Sequence, residues 1–373
     1  MSQKTTDFSQ RLQPQIAAIH PYVPGKPVSE LQRELGLQSV VKLASNENPL
    51  GCSEQVKQSI SAQLTEVARY PDGGCYQLKA ALAEFLQLKS SQIAIGNGSN
   101  ELLELVARVF AGPGDEIVFS QYGFAVYPIS AQVVGAKGIE VAAQDYGHDL
   151  DAVLAAISDK TKVIYLANAN NPTGTYFDKQ TWQRFIAQVP SHIIVVLDEA
   201  YIEYARSFVE QDRFFDGTDY LSDYANLLVS RTFSKAYGLA ALRVGYMAGC
   251  EEIIGYINQV REPFNVNQMA QVAALAALND QTFVAESVKQ NFLGMRQLTQ
   301  AFADLGLDYI PSVGNFICVN VGDDAAKLNQ QLLQQGVIVR PVANYGMAGY
   351  LRISVGSQIE NDFFIDVLKG LLN

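Results

Sequence analysis

Between about residue 92 and residue 234 the chain carries short apolar runs of strand length: QIAI, DEIVFS, KVIYLAN, HIIVVLDEA and NLLVSRTFS. Most are separated by stretches of helical period, of which QLKAALAEFLQL is the clearest. SQIAIGNGSNELLELVARVF reads as strand, glycine-rich turn and helix in succession. Continuous apolar runs alternating with amphipathic helices predict a doubly wound, mostly parallel sheet, because strands covered on both faces have no polar side. After about residue 265 the texture changes. NQMAQVAALAALND and the segment to about Leu305 read as long helices; NFICVNV, a helix in DDAAKLNQQLLQQG, VIVRPV, YLRISVG and a last helix follow. That is an α+β pattern and predicts a second, smaller domain. The expected division is an arm over 1–45 joining the small domain, a large domain over 46–265 and a small domain over 266–373. HPYVPGKP, with three prolines, makes the arm extended and irregular.

Composition narrows the function more than the fold. Of 373 residues, 48% are hydrophobic and 17% charged, enough for a large core and unlike a disordered chain. The net charge of −11 argues against nucleic acid or an anionic membrane as partner, since both call for a basic face. A few placed arginines can still bind a small anion. The opening MSQKTTDFSQ is polar, and no run approaches the roughly 18 apolar residues of a membrane span. Cys52, Cys75, Cys250 and Cys318 form no CxxC pair, and His20, His148 and His192 are scattered. The expectation is therefore reduced thiols, a cytoplasmic location and no metal site.

In open α/β sheets ligands gather beyond the carboxyl ends of the strands. The polar residues just after the apolar runs are Ser99 and Asn100, Tyr122, Asn171, Asp198, and Ser234 with Lys235. Converging on one rim, they would suit a ring with a phosphate tail. Each alone has an ordinary alternative: a plain turn for GNGS and NPTG, a helix cap for Asp198, a solvated charge for Lys235.

The ordered set RYPDGG, GNGSNELL, ANNPTG, VVLDEAYIEY, RTFSKAYGLAALRVGY and YLRISVG resembles the fold-type I, pyridoxal-phosphate-dependent aminotransferases. These blocks span the chain from Tyr70 to Arg352. HPYVPGK and REPFNVNQMAQ are further similar to the histidinol-phosphate aminotransferases within that group. The resemblance implies the fold-type I transferase fold and pyridoxal 5'-phosphate as cofactor. It makes Lys235 the catalytic residue, holding the cofactor as a Schiff base and then moving a proton, which requires a lowered lysine pKa. Asp198 would pair with the pyridinium nitrogen. Asn171 and Tyr201 would hydrogen-bond the phenolic oxygen, and Tyr122 would stack on the ring. Ser99, Asn100, Ser234, Arg243 and Tyr70 would form the phosphate cup. Relatives often carry aspartate where this chain has Asn100, which removes a negative charge near the phosphate.

The same resemblance implies that Arg352 grips the substrate anion, with Arg340 and Tyr22 as additional contacts. The expected reaction is amino transfer between L-histidinol phosphate and 2-oxoglutarate in histidine biosynthesis, by a homodimer whose Tyr70 reaches the neighbouring site. An aromatic amino acid aminotransferase or a threonine-phosphate decarboxylase would keep the same cofactor motifs. A binding or regulatory protein on the same fold would be expected to lack the lysine.

Overall fold

The computed structural model describes residues 8–19 and 25–372. A short strand β1 (Val41–Lys42) precedes a seven-stranded sheet made of β2 (Ile93–Gly96), β3 (Glu116–Ser120), β4 (Lys137–Val141), β5 (Thr161–Ala167), β6 (Ile194–Asp198), β7 (Leu227–Thr232) and β8 (Gly245–Ala248). The spatial order is β2-β8-β7-β6-β5-β3-β4. Only β8 runs against its neighbours; every other pairing in this sheet is parallel. The doubly wound sheet expected from the alternation is therefore present.

Both faces are covered, as continuous apolar runs require. Val163, Tyr165 and Val196 face Leu102, Val106 and Ile257 from helices Ser99–Phe110 and Glu251–Val260. The alternate residues Ile164, Leu166, Val195 and Leu197 face Val153, Trp182 and Phe185 from helices Leu150–Ala155 and Lys179–Ile186. The period of two in the strands thus separates two cores.

A second sheet follows. β9 (Tyr309–Ile310), β10 (Phe316–Asn320), β12 (Arg340–Pro341) and β13 (Tyr350–Ser354) form an antiparallel sheet in the order β12-β13-β10-β9, while β11 (Val337–Ile338) pairs in parallel with β1. Its core joins Ile317, Val319 and Ile353 to Leu298, Phe302 and Phe364 from helices Gln281–Asp304 and Gln358–Leu372. Helix Gln268–Asn279, expected to open the small domain, packs elsewhere. Its buried Ala270, Ala273, Ala274 and Ala277 join Val56, Leu78, Ile93 and Phe233 in one cluster. Small side chains let it sit close to helices Glu54–Gln63 and Tyr76–Leu86. The texture change near 265 is therefore a change in helix composition, and the second core begins in the 24-residue helix Gln281–Asp304.

Candidate active site

The carboxyl ends of β2, β5, β6 and β7 open into a cleft that is closed on its far side by β12 and β13. Asp198, the last residue of β6, points a buried carboxylate into it. Its Oδ2 accepts a 2.9 Å bond from the Tyr127 hydroxyl, and its Oδ1 is buried with no protein partner. Burial pushes the carboxyl up to about 6, against the Tyr127 hydrogen bond, which lowers it. An acceptor oxygen left bare in a dry pocket is costly unless a donor arrives.

Lys235 lies three residues beyond the end of β7 and in the same cleft. Its Nζ donates to the Ser45 carbonyl at 3.1 Å. Burial, then the nearby Arg352 guanidinium, bring its ammonium down to about 7. A lysine placed this way is largely neutral just above neutrality, as a nucleophile or proton carrier must be. Tyr201, three residues beyond Asp198, is buried beside it, with Nζ 5.7 Å from the ring centroid.

At the other end the cleft is built for an anion. Ser99 and Asn100 begin a 12-residue helix whose first N–H groups lack intrahelical acceptors. Arg243 Nη1 donates to Ser234 Oγ at 3.1 Å. Gly98 has φ +82°, and a Cβ there would stand 2.6 Å from Arg243 Nη2, so only glycine lets the guanidinium close over the turn. Across the cleft, Arg352 Nη1 donates to Asn171 Oδ1 at 2.5 Å and Nη2 to the Ala44 carbonyl at 2.7 Å. Arg340 stands directly opposite Arg352 on the β12–β13 ladder and also lines the cleft.

The cleft therefore brings together Ser99, Asn100, Asn171, Asp198, Tyr201, Ser234, Lys235, Arg243, Arg340 and Arg352. Three expected residues are not among them. Tyr122 does not line the cleft. It packs on Tyr146, with centroids 5.6 Å apart, and Phe124 is the aromatic of that loop that reaches the cleft. The cause is local: Gly123 N–H bonds back to the Ser120 carbonyl in a tight turn, which places residues 122 and 124 on different sides. Tyr70 is 83% exposed and stacks on Phe264, away from its own chain's cleft. Tyr22 lies outside the described residues. The sequence reading missed Ser45, Asn46, Tyr127, Thr232 and Tyr345, which also line the cleft. The polar run SNENP after the apolar VVKLA was the available signal for the first two; Tyr127 sits in an apolar helix and carried none.

The sequence pattern described as aminotransferase class I and II matches residues 38–368. The chain belongs to the class I and II aminotransferases. Among the relatives of this aminotransferase is histidinol-phosphate aminotransferase 2 of Hydrogenovibrio crunogenus, 58% identical over 98% of this chain and 97% of that protein. Histidinol-phosphate aminotransferase 2 of Pseudomonas aeruginosa is 53% identical over 98% and 99%. Among solved structures, histidinol-phosphate aminotransferase from Sinorhizobium meliloti in complex with pyridoxal-5'-phosphate superposes with a TM-score of 0.88. It is 29% identical and covers 98% of this chain and 99% of its own. Aspartate aminotransferase from Thermus thermophilus, 22% identical with a TM-score of 0.81 over 97% and 98%, shares the fold.

Proposed function

We propose that this enzyme moves an amino group between L-histidinol phosphate and 2-oxoglutarate, giving 3-(imidazol-4-yl)-2-oxopropyl phosphate and L-glutamate in histidine biosynthesis, with pyridoxal 5'-phosphate as cofactor. The observation that carries the substrate choice is the Arg340–Arg352 rung. Like charges directly opposite on a ladder destabilise a sheet, so the arrangement suits a doubly charged anion between them. One substrate offers a phosphate and the other two carboxylates. Relatives 53–58% identical along nearly the whole chain support the same reading.

The residues fit the cofactor. The bare Oδ1 of Asp198 suits a protonated ring nitrogen, and the Gly98 turn beneath Arg243 suits a phosphate. When bound, pyridoxal phosphate supplies an aldehyde that takes up the amino group and a ring that accepts electrons. Lys235 would provide the anchoring amine, and its largely neutral Nζ would serve as the proton carrier. Asp198 holds the nitrogen proton in place, with Tyr127 occupying its other oxygen. Asn171 and Tyr201 orient the ring through its phenolic oxygen, and Phe124 is the aromatic available to its face. Ser99, Asn100, Ser234 and Arg243 hold the phosphate, joined by Tyr70 of a second copy in a homodimer. Arg352 and Arg340 bind the substrate anion, and Tyr22 is kept as a further substrate contact. The division of the chain we propose keeps the 1–45 arm with the small domain, since β1 pairs β11 just where the arm ends. Among the described residues no helix is long and apolar enough to cross a membrane; we place the enzyme in the cytoplasm.

The test is a half-reaction panel on the holoenzyme, with histidinol phosphate beside phenylalanine, tyrosine and threonine phosphate as amino donors. Histidinol phosphate is expected to give the highest kcat/KM. Preference for phenylalanine or tyrosine, or release of carbon dioxide from threonine phosphate, would overturn the assignment.

A further inference from the structure

Asn46 is buried, 1% exposed, and holds φ +55°, a left-handed conformation that asparagine tolerates better than most residues. The backbone on its amino side is a contact strip: the Ala44 carbonyl accepts from Arg352 and the Ser45 carbonyl from Lys235. Asn46 itself is fixed from the second sheet. Its N–H donates to Ser354 Oγ at 2.7 Å, and Asn315 Nδ2 donates to its carbonyl at 3.0 Å.

The hydroxyl of Ser354 has one proton. Because Ser354 Oγ already accepts from the Asn46 N–H, that proton is free for Asn46 Oδ1, 3.0 Å away. The structure places the amide to match: Oδ1 faces Ser354, and Nδ2 faces the Tyr201 hydroxyl at 3.0 Å. An amide NH2 can only donate. Tyr201 Oη must accept there, so its own proton points away from Asn46.

We propose that Asn46, oriented by Ser354, is a positioning residue that makes the Tyr201 hydroxyl a hydrogen-bond donor into the cleft. The proposal deepens the reading of Tyr201 given above and rests on it. Glycine would satisfy the left-handed backbone as well, so the amide is present for what it bonds. Tyr201 then presents a proton to the ring oxygen without having to reorient on binding.

The readout is the pH at which the visible absorption of the bound cofactor changes. Tyr201→Phe should move this midpoint upward, because a ring oxygen without its donor keeps more negative charge and holds the neighbouring proton more tightly. Asn46→Gly, which keeps the backbone conformation, should move it the same way by about 0.3–1 unit. Ser354→Ala, which keeps the Asn315 bond to the Asn46 carbonyl but removes both bonds to Ser354 and so frees the amide to turn, should do likewise and serves if Asn46→Gly does not fold. Neither substitution removes any of the charged groups facing Lys235 and Tyr201, namely Arg352, Glu47, Arg243 and Asp198. In a Tyr201→Phe background, Asn46→Gly should add no further shift. An equal shift in both backgrounds, or none in either, would overturn the positioning role. If Tyr201→Phe alone left the midpoint unmoved, the fault would lie in the Tyr201 assignment, and the positioning role would fall with it.

Discussion

At the scale of single residues, the cleft works by denying its ionisable groups their usual solvent. Lys235 is brought down to about 7 by burial and by Arg352, so its amine is neutral above that pH and protonated below it. Capture of pyridoxal phosphate by the apoenzyme, trapped with borohydride at each pH, should therefore rise through about pH 7 and level off. A rate still climbing toward pH 10 would mean an unperturbed lysine. Lys235→Ala should abolish turnover while leaving the circular dichroism spectrum intact, because the side chain is not part of an apolar cluster. Arg352→Ala should lower kcat/KM for both histidinol phosphate and glutamate about ten- to hundredfold, the worth of a charge-assisted bond of about 1.5–3 kcal/mol. Unchanged constants for both substrates would remove Arg352 from the site.

At the scale of elements, the residue after β6 is tied to the end of β7 behind the cleft. Arg231 on β7 donates from Nε at 3.0 Å and from Nη2 at 2.6 Å to Glu199, the residue after Asp198, and also pairs with Asp216. Arg231 lies four residues before Lys235, and Glu199 one after Asp198. Arg231→Leu would strand the buried Glu199 carboxylate, and a loss of about 3–5 kcal/mol is expected by chemical denaturation. A change below about 1 kcal/mol would show that Glu199 protonates or rehydrates at little cost. The strands that were legible in the sequence are those buried on both faces, β5, β6 and β7 above all. β4 was not, because KGIEV is an edge strand with mostly exposed side chains and no apolar run. β8 was hidden too: GYMA is short, and it lies inside a stretch whose glycines and Arg243 read as turn and ligand chemistry.

At the scale of the whole molecule, the rim residues that follow strands could be read in advance because the sheet delivers them to one edge. The contacts that residues after β1 and on β13 make with the rim depend on how the two sheets meet, and that of Tyr127 on how its helix packs on the large sheet; no local pattern encodes either packing. The role proposed for Tyr70 needs a second chain. The turn RYPDGG holds it outward: Asp72 accepts from the N–H groups of Gly74 and Tyr76, which tightens the loop. Phe264, stacked on Tyr70, and Leu64, Val67 and Tyr76 near it in sequence are all exposed, the kind of apolar side chains a partner chain covers. A homodimer that covers this surface would place each Tyr70 at its neighbour's phosphate cup. Mixing Lys235→Ala chains with Tyr70→Phe chains and isolating the heterodimer tests it. With composite sites, one site carries both defects and the other neither, so about half of the wild-type activity per dimer returns. If Tyr70 serves its own chain, each site carries one defect and no intact site forms. A fully active monomer in sedimentation equilibrium would exclude the shared site altogether.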